Sequence, residues 1–311
     1  MRVKVAIIGA GSVGTAVGVL LARAGYEMAG VASRTPESAV RLAGRLGAPC
    51  CERPEDAARG ADMVLITTSD QAIGTVAREV ARAGGFGAGQ AVMHFSGSLT
   101  SEVLEPAAQA GAITLSVHPL QSCPSGEAGI RNLPRAVYSI EGDPRGYELA
   151  EKLVRALGSA SFFFIDKEAK PLYHAAACVA SNYLVTLLRL SQDLLARAGM
   201  PVEMAFPALL PLIQGTLDNV ASLGIPQALT GPIARGDVDT IQDHLAAMQV
   251  QAPELIPFYR LLARRTIDLA QEKGTLAPEK AARLWLLMGG REDLAGGAPG
   301  RREETAPRLP N

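Results

Sequence analysis

A glycine-rich turn between an apolar run and a helical pattern places the strongest constraint on how this chain folds. Residues 3–8 read VKVAII, residues 9–14 read GAGSVG, and apolar residues at positions 17, 20 and 21 follow with helical spacing. A second apolar run at residues 28–32 completes the order strand, glycine turn, helix, strand. This order predicts the first βαβ unit of an open, mostly parallel sheet.

The turn has the G-x-G-x-x-G spacing that receives the pyrophosphate of a dinucleotide at a helix N-terminus. Gly9 allows the tight turn, Gly11 lets the backbone approach the phosphates, and Gly14 lets the helix pack closely on the strand. Free N–H groups and the positive end of the helix dipole favour an anion there. The predicted cofactor-binding residues of the turn are Gly9, Ala10, Gly11, Ser12, Val13 and Gly14.

The end of the second predicted strand indicates which dinucleotide is bound. NAD-binding proteins usually carry an acid there for the ribose 2′-hydroxyl, but this chain reads Ser33-Arg34-Thr35. Arg34 can pair with a 2′-phosphate, which favours NADP(H). The alternative is an ordinary surface arginine before a helix that is capped by Thr35. The next strand ends at the same edge and adds three candidate cofactor-binding residues, Thr67, Thr68 and Ser69.

Composition narrows the class of protein and its compartment. The chain has 311 residues, is 48% hydrophobic and carries a formal net charge of −1, so neither nucleic acid nor an acidic membrane surface is expected as a partner. Its four cysteines lack metal-ligand spacing, which predicts reduced thiols, no metal site and a cytoplasmic location. Residues 171–188 lack a formal charge, but their histidine, serine and asparagine favour a buried helix over a membrane span.

Strand and helix patterns alternate to about residue 165, and helical patterns alone follow. We therefore predict an α/β dinucleotide-binding domain with a doubly wound sheet over residues 1–166, an all-α domain over 167–288 and a disordered tail over 289–311. The all-α domain should begin with one long helix over 168–198. A second helix over 201–223 should bend or break at Pro207 and Pro211.

Three places offer candidate catalytic residues. On the long helix, His174 and Asn182 share a face with Lys170, Cys178 and Ser181, which indicates either a catalytic wall or a satisfied polar core. After two predicted strands come Ser96, which can contact an anionic substrate or cap a helix, and His118, which can face a ligand or bond a turn.

Several strings resemble a known family: HFSGSLTSEVL, SVHPLQS, LYHAAACVASNYLV, GTLDN and LTGPIARGD. The chain resembles Rossmann-like NADP oxidoreductases with a C-terminal domain of unknown function. That resemblance implies a C-terminal helical domain like that of 6-phosphogluconate dehydrogenase. More distantly the chain is similar to β-hydroxyacid dehydrogenases, ketopantoate reductase and pyrroline-5-carboxylate reductase.

The resemblance also implies site residues and an activity. Hydroxyacid dehydrogenases carry a Ser-Gly pair that Ser96-Gly97 resembles, and a lysine four residues before an asparagine. Asn182 matches the asparagine, but Cys178 stands at the lysine position, so His174 is the expected acid. We expect an NADPH-dependent reductase of a small anionic oxo or imino acid that forms a homodimer through its helical domain. The alternative is an NADP(H)-binding sensor without turnover.

Overall fold

The computed structural model describes residues 2–290, so nearly all of the predicted tail lies outside the described residues. The chain divides into two compact units, and the boundary along the chain lies between residues 184 and 185. This division comes later than the predicted boundary after residue 166. The difference arises because the first part of the predicted long helix packs on the sheet of the first unit through Lys170 and Tyr173.

The first unit is built on a seven-stranded sheet whose spatial order is β2, β1, β3, β4, β5, β6, β7. All neighbouring pairs are parallel except β5 and β6, which are antiparallel. This confirms the predicted mostly parallel sheet. The strands are β1 (Lys4–Ile8), β2 (Glu27–Ala32), β3 (Met63–Ile66), β4 (Ala91–His94), β5 (Ile113–Pro119), β6 (Tyr138–Gly142) and β7 (Phe162–Phe164).

Helices cover both faces of this sheet, and the strand side chains alternate between the two resulting cores. On β1, Val5 and Ile7 join one apolar core, and Ala6 and Ile8 join the other. The helices of this unit are α1 (Ser12–Arg23), α2 (Pro36–Leu46), α3 (Pro54–Ala58), α4 (Asp70–Arg82), α5 (Glu105–Gln109), α6 (Gly126–Asn132), α7 (Tyr147–Ala156) and α8 (Lys170–Ala180).

The predicted long helix over 168–198 is interrupted. A short 3-10 turn at Lys167–Ala169 precedes α8, and Ser181 separates α8 from α9 (Asn182–Arg197). Ser181 has φ −114° and ψ −67°, which departs from helical geometry. The apolar spacing continues through this point, so the pattern alone predicted one helix.

The second unit is helical throughout its described part. Its core is formed by apolar residues of α12 to α15, such as Ile233, Ile241, Ile267 and Leu284. The helix predicted to bend or break at two internal prolines is not broken there, because α10 continues through both. None of the described helices is long and apolar enough to span a bilayer. The helices are α10 (Val202–Leu223), α11 (Ile225–Ala228), α12 (Pro232–Arg235), α13 (Val238–Gln251), α14 (Ile256–Lys273) and α15 (Pro278–Leu287).

Candidate active site

A cavity of about 830 Å³ lies at the carboxyl edge of the parallel strands in the first unit. Ligands of doubly wound sheets bind at this edge, and the volume is within the usual range for ligand pockets. Nine of the predicted cofactor-binding residues line it: Gly9, Ala10, Gly11, Ser33, Arg34, Thr35, Thr67, Thr68 and Ser69. The other three, Ser12, Val13 and Gly14, form the first turn of α1.

The glycine turn is packed tightly against the end of β3. Gly9 has φ +115°, and a Cβ there would lie 2.7 Å from the carbonyl carbon of Thr67. A Cβ on Gly14 would lie 1.9 Å from the Gly9 carbonyl oxygen, which accepts a hydrogen bond of 2.7 Å from Thr67 Oγ1. Around Gly11, by contrast, nothing lies within 4 Å of a Cβ position. Gly9 and Gly14 therefore serve close packing, while the open Gly11 leaves room for a ligand at the helix N-terminus.

The other end of the cavity is polar and carries a positive charge. Arg34 is exposed after β2 and takes part in none of the ion pairs between described residues. Thr35 occupies the N-cap position of α2, but its side chain makes no capping hydrogen bond. The hydroxyl and the guanidinium are therefore both available to a ligand. Ser38 adds a second hydroxyl to this end of the cavity.

The loop after β4 is held by the hydroxyl of Ser96. Ser96 Oγ donates to the Asp70 carboxylate at 2.7 Å and accepts from the backbone N–H groups of Leu99 at 3.1 Å and Ser98 at 3.3 Å. Asp70 directly follows Ser69, a cavity-lining residue, so the loop adjoins the cavity. The next helical segment begins at Ser101 with Thr100 at its N-cap position, so the fully engaged Ser96 hydroxyl holds the loop and does not cap a helix.

His94, at the end of β4, fixes the same loop from the interior. Its Nδ1 accepts from the Ser96 backbone N–H at 3.1 Å, so Nε2 carries the hydrogen and donates to the Thr100 carbonyl at 3.1 Å. Burial lowers the pKa of His94 to about 4, so this imidazole is neutral near pH 7. Farther along, Ser101 donates through both its N–H and its hydroxyl to the buried Glu141 carboxylate.

The two predicted catalytic histidines, His118 and His174, converge on Gly97 of this loop. A Cβ on Gly97 would lie 2.7 Å from both His118 Nε2 and His174 Nδ1, so these nitrogens are at most twice that distance apart. The other nitrogen of His118 is 2.9 Å from the Tyr173 hydroxyl, and that of His174 is 3.7 Å from Cys178 Sγ. His174 Nδ1 is buried and has no hydrogen-bond partner. These two nitrogens therefore lie close together beside Gly97, while Gly97 and both histidines are outside the set of residues that line the cavity.

A buried lysine supports the loop from beneath, and the sequence did not single it out as catalytic. Lys170 is 0% exposed; its ammonium donates to Ser116 Oγ at 2.8 Å and to the Ser96 carbonyl at 3.4 Å. Burial lowers the pKa of Lys170, and the Glu141 carboxylate opposes that shift. Burial, followed by the charge of Lys170, lowers the pKa of His118 to about 4.

The structure therefore joins Ser96, His118 and His174 in one cluster, while Asn182 begins α9 eight residues beyond His174. The only sequence signal that Lys170 belongs to this cluster is its spacing, one helical turn before His174. The roles of Tyr173, Asp70 and His94 depend on partners 55, 26 and 6 residues away along the chain. No local pattern reports such contacts.

Comparison with known proteins agrees with this architecture. Residues 1–119 match the family model of a Rossmann-like domain. Residues 136–266 match the model of a domain of unknown function, DUF2520. The chain is a Rossmann-like protein with a DUF2520 domain. This confirms the family resemblance that the sequence motifs indicated.

Solved structures share the fold of this DUF2520 protein over most of its length. A Bacteroides fragilis protein, provisionally described as an NADP oxidoreductase, is 24% identical with a TM-score of 0.70, covering 86% of this chain and 98% of that one. A reductive aminase from Aspergillus terreus, solved with NADPH4, cyclohexanone and allyl amine, is 19% identical with a TM-score of 0.62, covering 92% and 100%. A pyrroline-5-carboxylate reductase from Coxiella burnetii is 15% identical with a TM-score of 0.56, covering 88% and 99%. No curated protein matches the sequence.

Proposed function

We propose that this protein is an NADP(H)-dependent oxidoreductase. The observation that carries the proposal is the cavity formed by the glycine turn at one end and the unpaired Arg34 at the other. The open space at Gly11 fits a pyrophosphate at the N-terminus of α1. Arg34, Thr35 and Ser38 fit a 2′-phosphate, since a guanidinium and hydroxyls are its preferred donors. The descriptions of the structural neighbours, which name NADP and NADPH, support the same cofactor.

The substrate end of the proposed site is the cluster around Gly97. The bound nicotinamide supplies hydride chemistry, and the protein supplies position and protons. His174 presents a buried, unpaired Nδ1 and is the proposed proton donor, while His118 Nε2, which is close to the same point beside Gly97, is proposed to contact the same substrate group. We retain Asn182 as the group that orients the substrate carbonyl or imine. Ser96 is assigned to the loop, because its hydroxyl is already engaged.

The proposed substrate is a small oxo or imino acid of the ketopantoate or pyrroline-carboxylate kind. Two neighbours act on related groups by description, one as a pyrroline-5-carboxylate reductase and one as a reductive aminase. An imine can arrive protonated and then needs less acid catalysis than a ketone does, which suits a site whose predicted acid is a single histidine.

The four cysteines are free in the structure, which supports the expected cytoplasmic location.

The first test is fluorescence titration with NADPH and NADH. Wild-type protein should bind NADPH more tightly, and Arg34→Ala should weaken NADPH binding about 10- to 100-fold, because a hydrogen bond to a charged group contributes about 1.5–3 kcal/mol. NADH binding should change little. Arg82→Ala, which removes an exposed arginine from the last turn of α4, is the matched control and should change neither affinity. If neither NADPH nor NADH binds, the cofactor assignment is refuted.

The second test is NADPH oxidation with a panel of oxo and imino acids that includes ketopantoate and pyrroline-5-carboxylate. His174→Ala should keep NADPH affinity and the unfolding midpoint but lower kcat by about 10²- to 10⁴-fold, the usual contribution of a general acid. Tight NADPH binding without oxidation of any panel member would favour the sensor alternative. Unchanged kcat in the variant would remove His174 from the proposed chemistry.

We also propose that the protein is a homodimer through its helical unit. Large exposed apolar patches usually mark interfaces. Seven large hydrophobic residues of α9 and α10 are each more than half exposed: Tyr183, Val185, Val202, Met204, Leu212, Leu217 and Leu223. Light scattering at micromolar concentration should give twice the chain mass of 32.5 kDa. A monomeric mass would refute this proposal.

A further inference from the structure

The surroundings of Lys170 are unfavourable for a charged side chain. Its side chain is fully buried, so its charge has left water. It is also the first residue of α8, and the positive end of the helix dipole lies there. Its partners at hydrogen-bonding distance are a hydroxyl, at Ser116, and a carbonyl, at Ser96, rather than a carboxylate. Neutral partners of this kind do not offset the loss of hydration as a carboxylate could.

The contacts of Lys170 orient the peptide that joins Ser96 to Gly97. The Ser96 carbonyl accepts from the Lys170 ammonium at 3.4 Å and from Ser116 Oγ at 3.2 Å. In a planar trans peptide the N–H points opposite to the carbonyl, so the Gly97 N–H points away from Lys170. The same glycine has no room for a side chain, because His118 and His174 occupy its Cβ position. Lys170 thus sets the orientation of the residue on which both histidines converge.

Lys170 also bonds the strand that carries His118. Ser116 and His118 are two residues apart on β5, so their side chains lie on the same face of the sheet. On α8, Lys170 contacts Ser116 and Tyr173 contacts His118. The Lys170 ammonium is therefore held against Ser116, two residues from His118 on the same face of the strand, without a solvent shell to screen it.

We propose that Lys170 is a positioning residue for the histidine pair: it holds the Ser96–Gly97 peptide in place and sets its ammonium against the strand that carries His118, so that His118 Nε2 and His174 Nδ1 meet the substrate beside Gly97. The reaction itself rests on the proposed function, whereas the effect on His118 does not. A neutral imidazole is free to donate or accept one hydrogen bond, whereas an imidazolium only donates.

The charge state of His118 depends on several neighbours as well as Lys170. Burial and the nearby positive groups lower its pKa, whereas the Asp70 carboxylate raises it. The titratable groups that face it are Asp70 of α4, His94 of β4, and Lys170, Tyr173 and His174 of α8. Among these groups Lys170 has the largest charge effect on the pKa of His118, so its replacement gives the clearest change.

The test is an NMR titration of the full chain with isotope-labelled histidine. The chain has four histidines, so single substitutions assign every imidazole signal. In the wild type the pKa of His118 lies at about 4. In Lys170→Met it should rise by about one unit, the lower end of the effect of a nearby like charge, which is a tenfold gain in proton affinity. Lys152→Met, which removes an exposed lysine of α7, should leave it unchanged.

Lys170→Gln is the second variant, because its amide can still donate to Ser116 without a charge. It should raise the pKa of His118 as the methionine variant does. With any substrate that the panel identifies, the acid limb of the kcat/KM profile should move to higher pH in both variants, while NADPH affinity stays unchanged. A folded variant with an unmoved His118 titration would overturn the proposal. Failure of both variants to fold would overturn it too, since Lys170 would then serve the fold alone.

These outcomes separate the proposal from the proposed function. If wild-type protein binds no NADPH, the oxidoreductase assignment fails, yet the His118 titration still reports on Lys170. If NADPH binds and is oxidised but the titration does not move, the positioning role alone fails.

Discussion

Substitutions of the second and third motif glycines of the turn, Gly11 and Gly14, should separate stability from cofactor binding. In Gly14→Ala the new Cβ would lie 1.9 Å from the Gly9 carbonyl oxygen and 2.6 Å from Thr67 Oγ1. Neither atom is the end of a flexible chain, since the first is backbone and the second is held by its bond to the same carbonyl. The helix must therefore shift by about 1 Å, and overpacking of this kind costs about 1–3 kcal/mol. At about 2–4 °C per kcal/mol for a unit of this size, the Tm should fall by roughly 2–12 °C.

Gly11→Ala should have the opposite pattern. Nothing lies within 4 Å of its Cβ position, and its φ of −80° is accessible to alanine. Alanine gains about 0.4–1 kcal/mol through the unfolded chain, but it is a poorer N-cap than glycine by a similar amount, so the Tm should change little. Its methyl group would occupy the space where the proposed pyrophosphate approaches, so NADPH affinity should fall about tenfold or more, which corresponds to at least about 1.4 kcal/mol.

The assays are thermal unfolding without ligand and fluorescence titration with NADPH. Gly44→Ala, at an exposed and open position of α2, is the control and should leave NADPH affinity unchanged without lowering the Tm. The reasoning would be refuted by a Gly14→Ala protein as stable as the wild type. It would also be refuted by a Gly11→Ala protein that loses stability while it keeps wild-type affinity.

Two further predictions concern the loop after β4. The pKa of His94 is about 4 in the fold against an ordinary value of 6.5, so the unfolded state binds more protons and stability should fall as pH drops from about 6.5 to about 4. The full loss of unfolding free energy over this range is about 3 kcal/mol. In His94→Asn, the unfolding free energy measured with urea should depend less steeply on pH between pH 7 and 4.5 than it does in the wild type. An unchanged slope would contradict the role assigned to His94. Ser96→Ala removes the acceptor for two backbone N–H groups and should cost about 1–3 kcal/mol. Hydrogen exchange at Leu99 should then accelerate, more than in Ser98→Ala, and equal exchange in the two variants would count against this account of the loop.

Local spacing was sufficient to predict the sheet and the glycine turn. Runs such as MVLI at Met63–Ile66 are buried on both faces, and fully buried strands of a parallel sheet read as continuous apolar segments. The turn needs glycine at fixed offsets, because Gly9 has a left-handed φ and Gly14 touches a carbonyl oxygen. Such constraints act within a few residues, so they can be recognised from the local amino-acid sequence.

Spacing was not sufficient where geometry or distant contacts intervene. The apolar period continued across Ser181, but the backbone leaves the helical region there and divides the predicted long helix. In α10 the opposite occurred, since Pro207 and Pro211 lie inside a continuous helix. A proline disfavours helix locally, yet a helix of this length can absorb the loss of a few hydrogen bonds.

The amino-acid order alone therefore established the strand–glycine–helix pattern, the parallel sheet and the candidate histidines His118 and His174, because each depends on residue types at short, regular intervals. Folding brought those histidines to one glycine, engaged the Ser96 hydroxyl with Asp70 and buried Lys170 beneath the same peptide. Lys170 lies 54 residues from Ser116 and 74 from Ser96 along the chain. Burial and charge interactions depend on proximity in space, so only the packed sheet and helix could show that this lysine lies beneath the loop after β4.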